Sequence, residues 1–387
     1  MRSLAAVLSA IVTALMLSAA MASSSPASNQ SACPAQPVGG VPSSRLAVLA
    51  RGFNLQSWLE VPQRPPDFAV VAQLRTRGFT HVRLPVAIET LSEQFSAPAD
   101  VTRQFGALDA ALSTLMRLGF AVTIDMHPGG RFSALHVEQP ERAFSMVESV
   151  WHRLARRYAA LSPDRIFFEL LNEPTVSRNI WNHQGPRLVA AIRSEAPDHT
   201  IIYDHADYQR IDALPAVEPV ADRNVVYAVH FYDPMIFTHQ GLSWIEDPLR
   251  YLHHVPFPAR LGDPAVLRLL DELRYEGRSD TSQLLTKALR EPWTEERVTT
   301  EISVAAMWAV RQGRPVIINE FGVLNWKAEP ADRARWLSTV RQAAEQNCLG
   351  WTHWEYADGF GFVRRESGRE ILDETIVRAL LPRASTH

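Results

Sequence analysis

The chain has 387 residues, with 39 lysines and arginines against 42 acidic residues and a formal net charge of −3. Hydrophobic residues make up 46% of it and charged residues 21%, which supplies a large core and excludes global disorder. The near-balanced charge excludes the basic surplus that nucleic-acid binding normally requires. Two cysteines are too few for a disulfide framework or a cysteine-rich zinc module. The length allows two or three ordinary domains, or one large barrel domain.

The N-terminal residues have the pattern of a secretory leader. Arg2 precedes an apolar run over Leu4–Leu17, and small residues end the pattern at Ala22. A positive charge, an apolar region and a small-residue cleavage site are the parts of a signal peptide, in that order. The run is short for a bilayer span, so we expect residues 1–22 to be a cleaved signal peptide. This predicts a secreted or periplasmic protein without a membrane anchor; the alternative is an uncleaved anchor.

A short arm is expected between the leader and the folded domain. Residues 23–45 are rich in serine, proline, alanine and glycine, which predicts a flexible arm ahead of one domain over residues 46–387. The arm contains Cys33, and the only other cysteine is Cys348. In an oxidising compartment these two cysteines form a disulfide or remain separate thiols, and both alternatives stay open.

Eight short apolar runs alternate with helical patterns through the rest of the chain. Several are apolar at nearly every position, as expected for parallel strands that are buried on both faces. The predicted strands are Gly52–Leu55, Thr80–Leu84, Ala121–Met126, Ile166–Leu171, Thr200–Tyr203, Val225–Val229, Val316–Asn319 and Gly350–Trp354. The predicted helices are Asp67–Arg77, Arg103–Arg117, Glu141–Tyr158, Pro186–Ser194, Glu296–Arg311 and Asp332–Glu345. The alternation predicts a single α/β domain with the (β/α)8 or TIM-barrel fold. An open three-layer sheet is the alternative.

One connection is much longer than the others. It lies between the sixth and seventh strands, over roughly residues 233–293, and carries proline, histidine and tryptophan. We expect two or three short helices there, in an insertion at the C-terminal face of the barrel rather than in a separate domain.

Polar residues follow the predicted strands at the end where barrel enzymes carry their chemistry. They are Arg83, Asp125, His127, Asn172, Glu173, His205, His230, Tyr232, Glu320 and Trp354. Glu173 and Glu320 each follow an apolar strand directly, and two carboxylates that face one cavity suit glycosidic bond cleavage. One must be protonated and the other ionised. Arg83 is expected to keep one of them ionised, because a nearby positive charge lowers the pKa of a carboxyl group.

Two motifs carry a resemblance to a known family. Leu-Asn-Glu-Pro at the fourth strand and Ile-Asn-Glu-Phe-Gly at the seventh resemble glycoside hydrolase family 5, the cellulase family of retaining (β/α)8 glycosidases. The resemblance extends from Arg51 to Gly361. The recurrent active-site set of the family is matched, in chain order, by Arg83, His127, Asn172, Glu173, His230, Tyr232, Glu320 and Trp354.

The resemblance implies a role for each of these residues. Glu173 would be the general acid/base, and Glu320 the nucleophile that forms a glycosyl-enzyme ester. Asn172 would form a hydrogen bond with the sugar 2-hydroxyl, and Tyr232 and Arg83 would donate hydrogen bonds to Glu320. His230 would contact Glu173 or the sugar, and His127 would contact sugar hydroxyls. Trp354 would form a flat floor under the sugar ring. Asn54, Trp58 and Trp326 follow the first and seventh strands and are expected to line sugar subsites, with ordinary packing as the alternative for the tryptophans.

Two other classes of protein compete with this interpretation. A metal-dependent barrel hydrolase would use Asp125, His127, His205 and His230 as ligands, but nothing in the sequence requires a metal or another cofactor. A non-catalytic sugar-binding barrel would be expected to lose one carboxylate, and both are present. The expected substrate is a β-glucan and the expected activity endo-β-1,4-glucanase, with β-1,4-mannanase and β-1,3-glucan hydrolase as alternatives. We expect a monomer.

Overall fold

The computed structural model describes residues 40–60, 63–244 and 247–382. The predicted signal peptide, most of the arm and Cys33 lie outside these residues. Eight parallel strands form one closed barrel in sequential order, which confirms the (β/α)8 fold and excludes the open sheet. The barrel strands are β1 (Arg51–Asn54), β2 (His81–Ala87), β3 (Ala121–His127), β4 (Ile166–Glu169), β5 (Ile201–Tyr203), β6 (Val225–Phe231), β7 (Val316–Phe321) and β8 (Gly350–His353). A hairpin of β9 (Val363–Glu366) and β10 (Arg369–Leu372) follows them.

Thirteen α-helices are present among the described residues. They are α1 (Ser43–Val48), α2 (Phe68–Arg77), α3 (Ile88–Leu91), α4 (Pro98–Arg117), α5 (Gly130–Glu138), α6 (Pro140–Tyr158), α7 (Arg178–Glu195), α8 (Met235–Thr238), α9 (Pro264–Tyr275), α10 (Ser279–Ala288), α11 (Glu295–Gln312), α12 (Pro330–Gln346) and α13 (Glu374–Leu380). None of the helices in the described part of the chain has the length and apolarity of a bilayer span. The link from β5 to β6 carries only a 3-10 helix, Ile211–Ala216.

The folded domain begins slightly earlier than residue 46. Ser43–Arg45, which the composition assigned to the arm, open α1. Arg45 is buried, and its guanidinium pairs with Asp164 at 2.8 Å and donates to the carbonyl of Asp198 at 2.6 Å. These contacts bind α1 to the loops that precede β4 and β5, so this part of the chain belongs to the barrel.

Helix α7 is longer than the sequence predicts. Its expected start was Pro186, since proline rarely lies inside a helix, but the helix begins at Arg178 and runs through Pro186. Its first half is held by side chains: the indole of Trp181 donates to the carbonyl of Asp204 at 2.7 Å, and Gln184 is hydrogen-bonded to His136 at 2.8 Å. These contacts offset the hydrogen bond that proline removes.

The insertion between β6 and α11 has a small hydrophobic core of its own. Helices α8, α9 and α10, a 3-10 turn at Pro248–Tyr251 and the loops between these elements all contribute apolar residues. The core residues are Ile236, Leu242, Leu249, Leu252, Val255, Ala259, Val266, Leu269, Leu273, Leu285 and Leu289. The insertion therefore contains short helices, as the sequence predicts, and these pack around a core that the sequence analysis did not predict.

Candidate active site

Arg83 is the centre of the polar network inside the barrel. It is fully buried on β2, and its Nη1 donates to Oε1 of Glu320 at 2.6 Å. Its Nε and Nη2 donate to Glu169 at 2.7–3.0 Å, and Nη2 also donates to Oδ1 of Asn172 at 2.7 Å. A guanidinium has five N–H donors in a fixed plane, so this one group holds side chains from β4 and β7 in register.

Glu320 accepts a hydrogen bond at each carboxylate oxygen. Arg83 donates to Oε1, and the hydroxyl of Tyr232 donates to Oε2 at 3.0 Å. Burial, followed by the negative charge of Glu320, raises the pKa of Tyr232 well above its ordinary value, so the phenol keeps the proton that it donates. A Cβ on Gly322 would lie 2.1 Å from the carbonyl oxygen of Trp354. Only glycine therefore allows the ends of β7 and β8 to approach so closely.

Glu173 has a different environment. Its Oε1 lies 2.8 Å from Nδ1 of His230, and a third of its side chain remains exposed to the cleft. Surrounding protein atoms nevertheless remove much of the water that would solvate its charge, and this burial raises the pKa of Glu173 to about 7. Burial also lowers the pKa of His230 to about 4, so its imidazole is neutral at neutral pH.

The two glutamates face each other across a short gap. One carboxylate oxygen from each, together with a ring nitrogen of His230, all lie within 4.8 Å of one another. Carboxyl groups about 5–5.5 Å apart are typical of retaining glycosidases, whereas inverting enzymes separate them by about 6.5–9.5 Å. The site therefore combines a carboxyl group that is protonated near neutral pH with a second one that is held by two donors.

His127, Asn172 and Trp354 surround this pair. Nδ1 of His127 lies 2.8 Å from Oδ2 of Asp125, and Nδ2 of Asn172 lies 3.5 Å from Nε2 of His127. Burial alone would lower the pKa of His127, but the adjacent carboxylate of Asp125 raises it overall. The rings of His127 and Trp354 stack at 5.7 Å with an interplanar angle of 18°. All eight residues of the predicted set therefore line one site.

Three further residues were predicted to line sugar subsites, and the structure places them in different environments. Asn54 is fully buried: its Oδ1 accepts from Arg83 at 2.9 Å and its Nδ2 donates to the carbonyl of Asn319 at 3.1 Å. Asn54 therefore holds the guanidinium of Arg83 by a hydrogen bond and does not line a sugar subsite. Trp58 is buried in the core against Phe68, which corresponds to the packing alternative. Trp326 is 45% exposed and is available to a ligand.

Sequence reasoning missed a layer of polar residues below the site. Glu169 is fully buried under Arg83 and also accepts from Nδ2 of Asn319 at 2.8 Å. Burial raises the pKa of Glu169 to about 7. One signal was available: Glu169 is the only charged residue in the apolar run of β4, and its position two residues after Phe167 turns it toward the barrel interior.

The alternative metal-ligand set does not assemble. His205 is buried, with Nδ1 2.8 Å from the carbonyl of Ala206. Within the described ranges, the group with potential metal-ligand spacing is Glu173, His230 and Glu320. Both oxygens of Glu320 already accept hydrogen bonds, and a cation bound there would lie beside the guanidinium of Arg83. The donor set thus suits proton transfer and nucleophilic attack better than a cation. Cys348 lies in the turn before β8; Cys33 lies outside the described residues, so the disulfide and the separate thiols both stay open as alternatives.

A closed (β/α)8 barrel with two such carboxyl groups at the strand ends is the architecture of a glycoside hydrolase. Comparison with known proteins agrees: the sequence model of the family described as "Cellulase (glycosyl hydrolase family 5)" matches residues 44–358 of this chain. The chain belongs to glycosyl hydrolase family 5, and it is a glycoside hydrolase.

Several known proteins are similar to this chain along most of its length. Endoglucanase 3 of Fibrobacter succinogenes is 29% identical over 350 residues, which cover 85% of this chain and 52% of that protein, so the chain spans about half of its length. Cellodextrinase A of Ruminococcus flavefaciens is 26% identical over 76% of this chain and 81% of its own. Cel5A of Thermotoga maritima, solved with cellobiose, superposes with a TM-score of 0.70 at 26% identity, covering 88% of this chain and 99% of its own; it has also been solved with mannotriose.

Proposed function

We propose that this protein is a secreted, retaining endo-β-1,4-glucanase. The observation that carries the proposal is the pair Glu173 and Glu320, whose carboxylate oxygens approach within 4.8 Å in contrasting environments. Burial favours the protonated form of Glu173, while Arg83 and Tyr232 direct their donors at Glu320. These are the two states that a double displacement requires.

In the first half-reaction, a Glu320 oxygen attacks the anomeric carbon while the bond from that carbon to the leaving oxygen breaks. Glu173 transfers its proton to the leaving oxygen, so the departing sugar leaves as an alcohol. The product is a glycosyl ester on Glu320 and an ionised Glu173. The amide of Asn172, oriented by Arg83, is available for the sugar 2-hydroxyl. Trp354 and His127 border the same subsite.

In the second half-reaction, the ionised Glu173 removes a proton from water. The water oxygen attacks the anomeric carbon from the side that the leaving sugar vacated, and the ester bond to Glu320 breaks. Both carboxyl groups return to their starting states. Two displacements at one carbon give net retention of configuration.

The relatives support a β-1,4-glucan as the substrate. Those that match most of this chain are named endoglucanases and a cellodextrinase, and the Thermotoga enzyme has been solved with cellobiose. A β-1,4-mannan is the second candidate, because the same Thermotoga enzyme has been solved with mannotriose. Export is part of the proposal and is supported by the leader pattern that ends at Ala22. N-terminal sequencing of the protein from a culture would test the cleavage site.

A hydrolysis screen tests the substrate assignment. Purified enzyme is incubated with carboxymethyl cellulose, mannan, xyloglucan and laminarin at equal mass, and reducing ends and viscosity are both followed. An endo-β-1,4-glucanase should act fastest on carboxymethyl cellulose, with viscosity falling well ahead of the release of reducing ends. A higher rate on mannan or laminarin would replace the glucan assignment with the corresponding alternative.

The rate should fall as the pH rises through about 7. Glu173 must be protonated to assist departure, and burial raises its pKa to about 7, so its acid form is lost above that pH. The pH profile of kcat/KM on cellotetraose measures this limb in the free enzyme. The Glu173→Gln variant is the control, since its residual activity should lack the alkaline limb. An unchanged limb in that variant would assign the titration to another group.

The hydrolysis product should retain the β configuration at the anomeric carbon. One oxygen of each carboxylate lies within 4.8 Å of the other, which is closer to the separation of about 5–5.5 Å in retaining enzymes than to the 6.5–9.5 Å of inverting ones. Proton NMR of the first product formed, recorded before mutarotation, distinguishes the two anomers. Initial release of the α anomer would contradict the double displacement.

A further inference from the structure

Two tryptophans remain exposed near the active site. Of the ten in the chain, all of them in the described ranges, only Trp244 and Trp326 are exposed, at 54% and 45%. Their ring centroids lie 5.6 Å apart, and the rings are nearly perpendicular at 78°. Exposed apolar surface of this kind usually marks an interaction site. One ring can form a floor and the other a wall for a flat, amphipathic ligand.

A chain of aromatic contacts joins this pair to the catalytic carboxylates. Tyr232, which donates to Glu320, packs edge-on against Phe360 at 5.9 Å, and Phe360 lies 6.3 Å from Trp244. A Cβ on Gly359 would lie 3.3 Å from the ring of Trp326, so glycine leaves room for that ring against the backbone. The exposed pair is thus an outward continuation of the wall that holds Glu320.

The insertion is the element that brings Trp244 to this place. Two residues before it, Leu242 is buried in the small core of the insertion. Trp326 comes from the loop after β7, a different part of the barrel. The pair therefore forms where the packed insertion places its tryptophan against the barrel loop.

We propose that Trp244 and Trp326 form a sugar-stacking platform for glucose units beyond the cleavage subsite, on the glycone side of the cleft. This rests on the proposed β-1,4-glucanase function. The side follows from the chemistry: Glu173 must reach the leaving oxygen, so the leaving sugar lies on its side. The unit that becomes bonded to Glu320 extends the other way. The ring contacts of the pair run through Phe360 and Tyr232 to Glu320, and within the described part of the chain none of them involves β3, β4 or β5.

Aryl β-cellosides isolate this side of the cleft. When p-nitrophenol is released, no sugar lies on the aglycone side, so the dependence of kcat/KM for p-nitrophenol release on one to four glucose units reports the glycone subsites alone. The Trp244→Ala variant should lose about tenfold in kcat/KM on the trioside and tetraoside, while the bioside changes by less than about twofold. Trp326→Ala should show the same pattern, and Trp244→Phe should restore most of the loss.

The matched control is Tyr275→Ala, because Tyr275 is an aromatic residue on the same insertion, 95% exposed and outside the cluster. Its length dependence should equal that of the wild type. Equal losses of Trp244→Ala on all four glycosides, or no loss on any, would overturn the platform. A loss confined to cellooligosaccharides with sugars on the leaving side would overturn the side assignment. Failure of the wild type on every β-celloside would instead refute the proposed function.

A separate set of contacts surrounds Gln209 and fixes the backbone of Glu173. Oε1 of Gln209 accepts from the backbone N–H of Glu173 at 2.8 Å, and its Nε2 donates to Oδ1 of Asp204 at 2.8 Å. The carbonyl of Gln209 accepts from the backbone N–H of His230 at 2.8 Å. Gln209 is fully buried. One residue therefore holds both members of the Glu173–His230 hydrogen bond.

The backbone conformation of Glu173 explains why such an anchor is needed. Its φ is 42°, in the left-handed region that residues other than glycine seldom adopt because the conformation is strained. Asp204 completes the anchor by accepting from the backbone N–H of Leu171 at 2.8 Å. The amide of Gln209 both accepts and donates at this place. A glutamate there would set a second buried carboxyl against Asp204.

We infer that Gln209 is a positioning residue for the acid/base, given the role proposed for Glu173. Substitution of Gln209 should then lower kcat/KM strongly only on substrates whose leaving group needs a proton. The Gln209→Met variant, close in size, should lose about 10²-fold in kcat/KM on cellotetraose. It should lose less than about threefold on 2,4-dinitrophenyl β-cellobioside, because that leaving group departs without a proton.

The control is Gln184→Met, which removes a buried glutamine that contacts His136 and lies on α7. It should keep the wild-type ratio between the two substrates even if it lowers the melting temperature. Equal losses on both substrates in Gln209→Met would indicate general damage and overturn the positioning role, as would wild-type kcat/KM on both. In Glu173→Gln, a fall in kcat/KM on cellotetraose relative to kcat/KM on 2,4-dinitrophenyl β-cellobioside tests separately that Glu173 is the acid.

Discussion

Replacement of Glu320 by alanine is expected to abolish hydrolysis of every glycoside, whatever its leaving group. The substitution removes the oxygen that attacks the anomeric carbon, and better leaving groups cannot compensate for a missing nucleophile. Loss of a nucleophile typically lowers kcat by on the order of 10⁴–10⁶-fold. Steady-state kinetics on carboxymethyl cellulose and on 2,4-dinitrophenyl β-cellobioside measure the loss. Circular dichroism tests whether the barrel persists.

Azide gives this prediction a positive readout. In Glu320→Ala the anion can occupy the space of the missing carboxylate and attack the anomeric carbon directly, so activated substrates should yield an α-glycosyl azide. Glu291→Ala is the control, since Glu291 carries an exposed carboxylate remote from Arg83. Its rate should equal that of the wild type. Wild-type hydrolysis by Glu320→Ala would refute the proposed mechanism, and a β-glycosyl azide would reassign Glu320 as the acid/base.

Much of the fold could be predicted from the sequence because its strands are buried on both faces. Runs such as Ile166–Phe168 and Val316–Ile318 are apolar at every residue, and all eight predicted strands overlap observed ones. The errors lie where tertiary contacts override local preference. Helix α7 passes through Pro186 because Trp181 and Gln184 bind its first half to the barrel. The packing of the insertion was hidden because its core residues are spread over several short elements.

The site was predictable to the extent that its residues directly follow strands. Glu173 and Glu320 stand at the ends of apolar runs, so their positions could be read without a structure. Gln209 lies in a loop after β5, and only the folded chain shows that its side chain reaches Glu173. Asn54 is the opposite case: it is the last residue of β1 and was predicted to line a sugar subsite, but its side chain is fully buried and accepts a hydrogen bond from Arg83. Sequence position gives the strand end, but it does not give the direction of a side chain in a loop.

Replacement of Glu173 by glutamine should have an effect that depends on the leaving group. The amide cannot donate an acidic proton, so kcat/KM on cellotetraose should fall by about 10²–10⁴-fold. On 2,4-dinitrophenyl β-cellobioside, whose leaving group needs no proton, kcat/KM should remain close to that of the wild type. In a series of aryl cellobiosides, log kcat/KM of the variant should fall more steeply with the pKa of the leaving group than that of the wild-type enzyme.

The second half-reaction distinguishes the Glu173→Gln variant from the Glu320→Ala variant. Without a general base, water attacks the ester on Glu320 slowly, so Glu173→Gln should show a burst of 2,4-dinitrophenol followed by a slow steady state. Azide needs no deprotonation, so it should raise that steady-state rate and give a β-glycosyl azide. Opposite azide anomers from the two variants would fix both roles, because each anion attacks from the face that its carboxylate served. An α-glycosyl azide from Glu173→Gln would exchange the two assignments.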